Sequence, residues 1–278
     1  MILSAKAKLA GVMGWPVAHS LSPRLHGFWL ERYRIDGAYL PLPVAPEHFE
    51  RALRGLADAG FRGVNLTLPH KQPGLGLCHE VEPLAKRIGA VNTVVFEDGR
   101  LEGRNTDAFG FLENLRQGAP AWDAAAGPTL VLGAGGAARA VAAALLDAGA
   151  PEVRLSNRTA ARAEALAWAL GARVVPVPWE SRADALDGLA LLVNTTSLGM
   201  AGQPELDLDL DPLPAAALVT DIVYAPLETP LLARARARGN PAVDGLGMLL
   251  HQARPGFEAW FGVAPEVTAE LRAFVLAR

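Results

Sequence analysis

Residues 128–150 read PTLVLGAGGAARAVAAALLDAGA. An aliphatic run, TLVL, stops at the glycine turn GAGGAAR (133–139), and an alanine-rich helix takes over. The turn fits G-x-G-x-x-A on Gly133, Gly135 and Ala138. In that spacing the first glycine permits a tight turn and the second a close approach of backbone to a pyrophosphate. The small third residue lets the helix pack against the strand. The unpaired N–H groups at the helix start favour an anion there. A glycine turn also serves purely structural ends, so the motif gains its weight from lying between a strand and a helix.

The end of the next strand sharpens the reading. A fold of this kind that binds NAD carries an acid about 20 residues on, where it takes the ribose 2′-hydroxyl. Here the stretch is SNRTAARA, with Asn157, Arg158 and Thr159 and no acid. Arg162 follows Arg158 by one helical turn, so two guanidiniums can face one phosphate. The rival reading is a solvated helix start with incidental arginines. The pattern favours NADP.

Outward from this core, short apolar runs alternate with amphipathic stretches throughout, the mark of an α/β chain with largely parallel sheets. LAGVMG, AYLPLPV and RGVNLTL read as strands, and SPRLHGFWLERYR as a helix capped by Ser22 with Pro23 in its first turn. NTVVFEDGRLEG reads as a hairpin turning at Asp98-Gly99. Near residue 108 the character changes, through a helix and the loose link GAPAWDAAAGP, and the chain is helical again from Gly245. The expected organisation is two α/β domains with a cleft between them. One is a split domain of residues 1–108 plus 246–278, and the other a doubly wound, Rossmann-like nucleotide domain of residues 109–245.

Bulk properties exclude several classes. A chain that is 51% hydrophobic and 20% charged is globular. A net charge of −3 lacks the basic face of a nucleic-acid binder. A single cysteine, Cys78, cannot form a disulfide within one chain and suits a reducing compartment. No signal-peptide pattern is evident, and no apolar run reaches the roughly 18 residues of a membrane span. The expectation is a soluble, cytoplasmic protein. The histidines are scattered and offer no metal-ligand cluster, so no metal is expected.

Scarce polar residues point to a site. Lysine occurs only at positions 6, 8, 71 and 86, against a background of arginine. GVNLTLPHK (63–71) therefore ends on a residue whose compact ammonium and movable pKa arginine does not offer. Four clusters stand at expected strand ends: HSLSP (19–23), VNLTLPHK (64–71), GAVNT (89–93) and GRNTD (103–107). If each caps a parallel strand, they converge on one sheet edge, where open α/β folds bind ligands. Hydroxyls, amides, one lysine and one aspartate suit a small polyol. Any one cluster alone is as readily a turn or a cap.

In these motifs, and in NTTSLGM, DIVYAPLETPLL and DGLGMLLHQ, the chain resembles the shikimate dehydrogenase family over essentially its whole length. The resemblance implies NADPH-dependent, reversible reduction of 3-dehydroshikimate to shikimate in aromatic amino-acid biosynthesis, by a monomer or homodimer acting on a small molecule. It implies that Lys71 and Asp107 are the catalytic pair and that Ser20 and Ser22 hold the substrate carboxylate, with Tyr224 nearby. Asn65, Thr67, Asn92 and Gln252 match substrate contacts. The cofactor side maps to Gly133, Ala134, Gly135, Gly136 and Ala137, to Asn157, Arg158, Thr159 and Arg162, and to Thr195, Gly245 and Met248 near the nicotinamide. The chain departs from the family at His26-Gly27, where His-Asn is common, and at Tyr224-Ala225-Pro226, where Tyr-Asn-Pro is common. His70 reads as a bystander, pointing away from Lys71 if the strand tip is extended. The rivals are a quinate or dual-specificity dehydrogenase, a non-catalytic sensor on the same scaffold, and an unrelated NADP reductase with a borrowed cofactor domain. A sensor would be expected to lose Lys71 or Asp107, and both are present.

Overall fold

The TLVL run lies near the middle of a six-stranded, all-parallel sheet in the computed structural model of the chain, which describes residues 2–277. By its internal contacts the chain divides into two units, Met1–Thr106 with Leu249–Arg278, and Asp107–Met248. Asp107 and Met248 thus lie just inside the second unit.

The first unit runs β1 (Lys8–Gly14), α1 (Ser22–Arg32), β2 (Gly37–Pro43), α2 (Phe49–Asp58), β3 (Gly63–Leu66), α3 (Pro73–Leu77), β4 (Glu80–Val81), α4 (Pro83–Ile88), β5 (Thr93–Glu97) and β6 (Arg100–Arg104). The second runs α5 (Asp107–Gly118), β7 (Thr129–Leu132), α6 (Gly136–Asp147), β8 (Val153–Ser156), α7 (Ala160–Leu170), β9 (Val174–Val177), β10 (Leu191–Asn194), β11 (Leu218–Asp221), α8 (Pro230–Ala237) and β12 (Ala242–Val243). Helix α9 (Leu246–Phe261) carries the chain back to the first unit, where α10 (Ala269–Leu276) ends it.

The first sheet has the order β2-β1-β3-β5-β6-β4 and is mixed. Strands β1, β2 and β3 are parallel, whereas β5 runs antiparallel to both β3 and β6. The polar clusters therefore do not all cap parallel strands. Asn92 precedes the start of β5 and Thr106 follows the end of β6, yet the register pairs Asn65 with Thr93 and Thr93 with Arg104. Reversing β5 brings its N-terminal end to the same edge as the C-terminal ends of its neighbours. The β5–β6 turn has positive φ at Asp98 (48°) and Gly99 (73°), which suits the twist of a two-residue hairpin.

Three local expectations change. Ser22 does not cap α1: Leu21 holds the N-cap position and no side chain caps the helix. Strand β3 ends at Leu66, so Thr67 lies in the turn beyond it and does not extend a strand face shared with Asn65. The segment after it is folded rather than extended, with the His70 N–H donating to the Thr67 carbonyl at 2.8 Å. His70 is buried, stacked on Phe49 at 4.2 Å, with Nε2 donating to the Val44 carbonyl at 2.8 Å. It is a core residue for packing reasons, not because of strand alternation.

An aromatic cluster closes the split unit. Phe257 and Trp260 of α9 pack with Trp29 of α1 and Tyr39 of β2 around His26. Trp260 Nε1 donates to the Val94 carbonyl at 3.1 Å, a bond between residues 166 apart in sequence. Gly63 makes that approach possible, since a Cβ there would collide with the Val94 oxygen and the Trp260 ring. On the surface Arg24 lies over Phe274 at 4.4 Å and Arg32 pairs with Glu270, tying α10 to α1.

His26 is wholly buried, and neither of its ring nitrogens has a hydrogen-bond partner among the described residues. Burial lowers its pKa from 6.5 to about 3, so the folded protein holds the ring neutral. In the unfolded chain the ring takes a proton near its ordinary value. The stabilisation it gives is therefore complete above pH 6.5 and is lost as the pH falls toward 3. His26→Phe keeps a flat ring that cannot titrate. Between about pH 7 and about pH 4, the denaturant midpoint of the wild type should fall more steeply than that of His26→Phe.

Candidate active site

One edge of the first sheet is built almost entirely from hydrogen-bonded polar side chains. Asn92 lies at its centre. Its Oδ1 accepts from the Thr106 N–H at 2.9 Å and the Thr93 hydroxyl at 3.0 Å, and its Nδ2 donates to Thr106 Oγ1 and to Gln252 Oε1. Asn65, at the end of β3, donates to the Asn92 carbonyl at 3.0 Å and to Thr93 Oγ1 at 3.1 Å. Asn105 Nδ2 donates to the Ala90 carbonyl at 2.9 Å. These asparagines are buried, and each interior amide has partners, as burial requires.

The remaining candidates of this unit border that network. The Ser22 N–H donates to Ser20 Oγ at 3.3 Å in the loop between β1 and α1. Thr67 packs its methyl over Gly14, where any side chain would clash. Its N–H donates to the Met13 carbonyl, which ties the turn after β3 to the end of β1. Lys71 is half-buried, and its backbone carbonyl accepts from the Val91 N–H at 2.8 Å. The lysine is thus anchored one residue before the Asn92 hub. Asp107, which opens the second unit, is buried as the first residue of α5 and follows Thr106 in sequence.

The second unit has its own cluster. Its strand order, β12-β11-β10-β7-β8-β9, is the 3-2-1-4-5-6 order of a doubly wound nucleotide fold, with the reversal between β7 and β10. The glycine turn lies after β7, at that switch point. Gly133 has φ of 111°, and a Cβ there would lie 2.5 Å from Thr195 Oγ1, which itself donates to the Leu132 carbonyl. Gly135 precedes α6, and among the described residues no side chain caps that helix and a Cβ on Gly135 would meet nothing within 4 Å. The start of the helix is thus open to an anion. Arg158 and Arg162 are exposed at the start of α7, and Asn157 Nδ2 donates to the Thr159 carbonyl at 2.9 Å, fixing the turn. These residues fit a phosphorylated dinucleotide: an open glycine turn, two guanidiniums and no acid at the end of β8.

Asp221, at the end of β11, has no place in the sequence reading. It is fully buried and accepts from the Val223 N–H, from Asn194 Nδ2 through both oxygens, and from Thr229 Oγ1. Burial pushes its carboxyl above the ordinary carboxylate range, and these donors pull the other way. The bonds hold the Asn194–Thr196 turn, which contains Thr195, next to the segment that contains Tyr224. Burial likewise raises the Tyr224 phenol. Gly245 lies against the Ile222 backbone, where a Cβ has no room, and Met248 is buried close behind it in α9. An acid ending the apolar run ALVTD is the signal that could have revealed Asp221.

Fold and site together define a two-unit α/β protein of the dinucleotide-binding class. A family model described as the shikimate dehydrogenase substrate binding domain matches residues 12–94, and one described as shikimate/quinate 5-dehydrogenase matches residues 121–198. The chain is 66% identical over 276 residues to the shikimate dehydrogenase (NADP(+)) of Paramagnetospirillum magneticum, covering 99% of this chain and 100% of that one. Among solved structures it matches shikimate 5-dehydrogenase of Thermus thermophilus in complex with NADP(H) and shikimate, at 42% identity and a TM-score of 0.85, over 96% of this chain and 97% of that one. It also matches quinate dehydrogenase of Corynebacterium glutamicum in complex with NAD, at 32% identity and a TM-score of 0.91, over 97% and 99%. The chain belongs to the shikimate dehydrogenase family.

Gly133 gives the site a direct stability test. Gly133→Ala sets a side chain in the left-handed region and drives its Cβ onto Thr195. The expected cost is about 1–3 kcal/mol, read as a lower urea midpoint with the slope unchanged.

Proposed function

We propose that this chain catalyses the reversible, NADP-dependent interconversion of shikimate and 3-dehydroshikimate, running toward shikimate with NADPH in aromatic amino-acid biosynthesis. The observation that carries this reading is the polar edge of the first unit. Asn65 lies in β3, Ser20 and Ser22 follow β1, Thr67 and Lys71 follow β3, and Asn92 precedes β5, with Gln252 bonded into the same network. That surface offers neutral donors and acceptors with one ammonium, and it suits a hydroxylated carboxylic acid. The single cysteine accords with a cytoplasmic enzyme, working as a monomer or homodimer.

Ser20 and Ser22 hold the carboxylate as neutral donors, with Tyr224 contributing its hydroxyl. Asn65, Thr67, Asn92 and Gln252 meet the ring hydroxyls. Gly133, Ala134, Gly135, Gly136 and Ala137 carry the pyrophosphate through backbone N–H groups at the start of α6, while Asn157, Arg158, Thr159 and Arg162 take the 2′-phosphate. Thr195, Gly245 and Met248 border the nicotinamide. NADPH, when bound, supplies the hydride. Negative charge then develops on the carbonyl oxygen, and Lys71 gives that oxygen a proton. Asp107 accepts a hydrogen bond from the same hydroxyl and holds it in place. In the reverse direction Lys71 takes the proton back while Asp107 holds the hydroxyl.

The deciding assay follows NADPH formation with shikimate or quinate, trying NADP and NAD separately. Turnover of quinate with NAD, and none of shikimate with NADP, would overturn the reading. Within it, Lys71→Ala is expected to lower kcat by on the order of 10²–10⁴ while NADP binding stays near wild type. Lys71→Arg should rescue little, because arginine keeps the charge but does not readily release a proton. Arg158→Ala is expected to weaken NADP by about 1.5–3 kcal/mol, read as a higher KM for NADP with the activity on NAD little changed. An equal fall with both cofactors would make Arg158 structural.

A further inference from the structure

Tyr39 lies in the middle of β2, buried, and its hydroxyl donates to Asn65 Oδ1 at 2.6 Å. The Asn65 amide is thereby fixed in one orientation. Both of its Nδ2 hydrogens are committed, to the Asn92 carbonyl and to Thr93 Oγ1. Turning the amide over would set Oδ1 against the Asn92 carbonyl, two acceptors face to face, and would leave the Tyr39 hydroxyl facing a donor. With its nitrogen used up, Asn65 has one free capacity, the second lone pair of Oδ1. It can accept a hydrogen bond from a ligand and has none to donate.

The phenol is itself held in place. Its ring lies flat on the His26 imidazole, centroids 3.8 Å apart and planes 1° from parallel, with Trp260 tilted beside it at 6.0 Å. One hydroxyl on β2 therefore holds Asn65 of β3, a group that lines the polar edge.

We infer that Tyr39 is a positioning residue, which fixes the Asn65 carboxamide so that its carbonyl oxygen meets a substrate hydroxyl. This rests on the shikimate reading above. The His26 ring supplies the flat support that keeps the phenol aimed at Asn65. Tyr39→Phe keeps the stack and removes only the hydroxyl. The KM for shikimate is expected to rise about tenfold, with the KM for NADP unchanged and the thermal midpoint close to wild type. Side-chain amide exchange, followed by NMR without any ligand, gives a second measurement. Both Asn65 Nδ2 protons should exchange slowly in the wild-type protein and faster in Tyr39→Phe.

An unchanged shikimate KM with unchanged amide exchange would overturn the inference. Equal rises in both KM values with a lowered thermal midpoint would do the same, by reducing Tyr39 to packing. Fast exchange of the Asn65 amide in the wild type alone would also sink it. A wild-type protein inactive on shikimate would instead defeat the functional reading, and the amide exchange would still decide whether Tyr39 orients Asn65.

Discussion

A single buried amide holds the polar edge together. Asn92 meets Thr93 beside it, the backbone and hydroxyl of Thr106 across the hairpin, and Gln252 from α9. A buried amide costs free energy unless its donors and acceptors are met, so these partners are a requirement of burial as well as a source of order. Because the partners come from β5, from the end of β6 and from α9, the hub fixes three elements relative to one another. A site lined with neutral polar groups needs that rigidity. Side chains free to turn would hydrogen-bond one another as readily as a ligand.

The same economy recurs in the second unit with a different residue type. There Asp221 collects donors from Val223, Asn194 and Thr229 and holds two strand-end turns together. The two units thus solve one problem twice, each with a buried acceptor at the end of its sheet. The amide of the first unit carries no charge and needs only hydrogen-bond partners. The carboxylate of the second depends on its donors, because burial works against its ionised form.

What could be read from the sequence was local. TLVL followed by GAGGAAR declares a strand, a turn and a helix within a dozen residues, and Asp98-Gly99 declares its hairpin in two. The four polar clusters were visible because asparagine, serine and lysine are scarce in this chain. Features set by distant partners were not visible. Ser22 has the chemistry of a cap, yet the helix starts so that Leu21 takes that position. Tyr39 sits in an apolar run that reads as plain strand, and only the fold brings it to Asn65, 26 residues on. His26 lies in a stretch that reads as a helix, and its burial follows from aromatic rings contributed by α1, β2 and α9.

The split of the first unit has a consequence for how the chain is made. Gln252, Phe257 and Trp260 belong to the unit that opens the sequence, yet the whole of Asp107–Met248 separates them from Thr106. At roughly 5–20 residues per second, a ribosome needs on the order of ten to thirty seconds to supply them. Throughout that interval Asn92 lacks its Gln252 partner and the His26 ring lacks the aromatic lid from α9. The second unit, by contrast, is a continuous stretch whose sheet is complete by Val243. Although it comes later in the sequence, it can finish folding first, leaving the opening segment to wait on the ribosome for its own last helices.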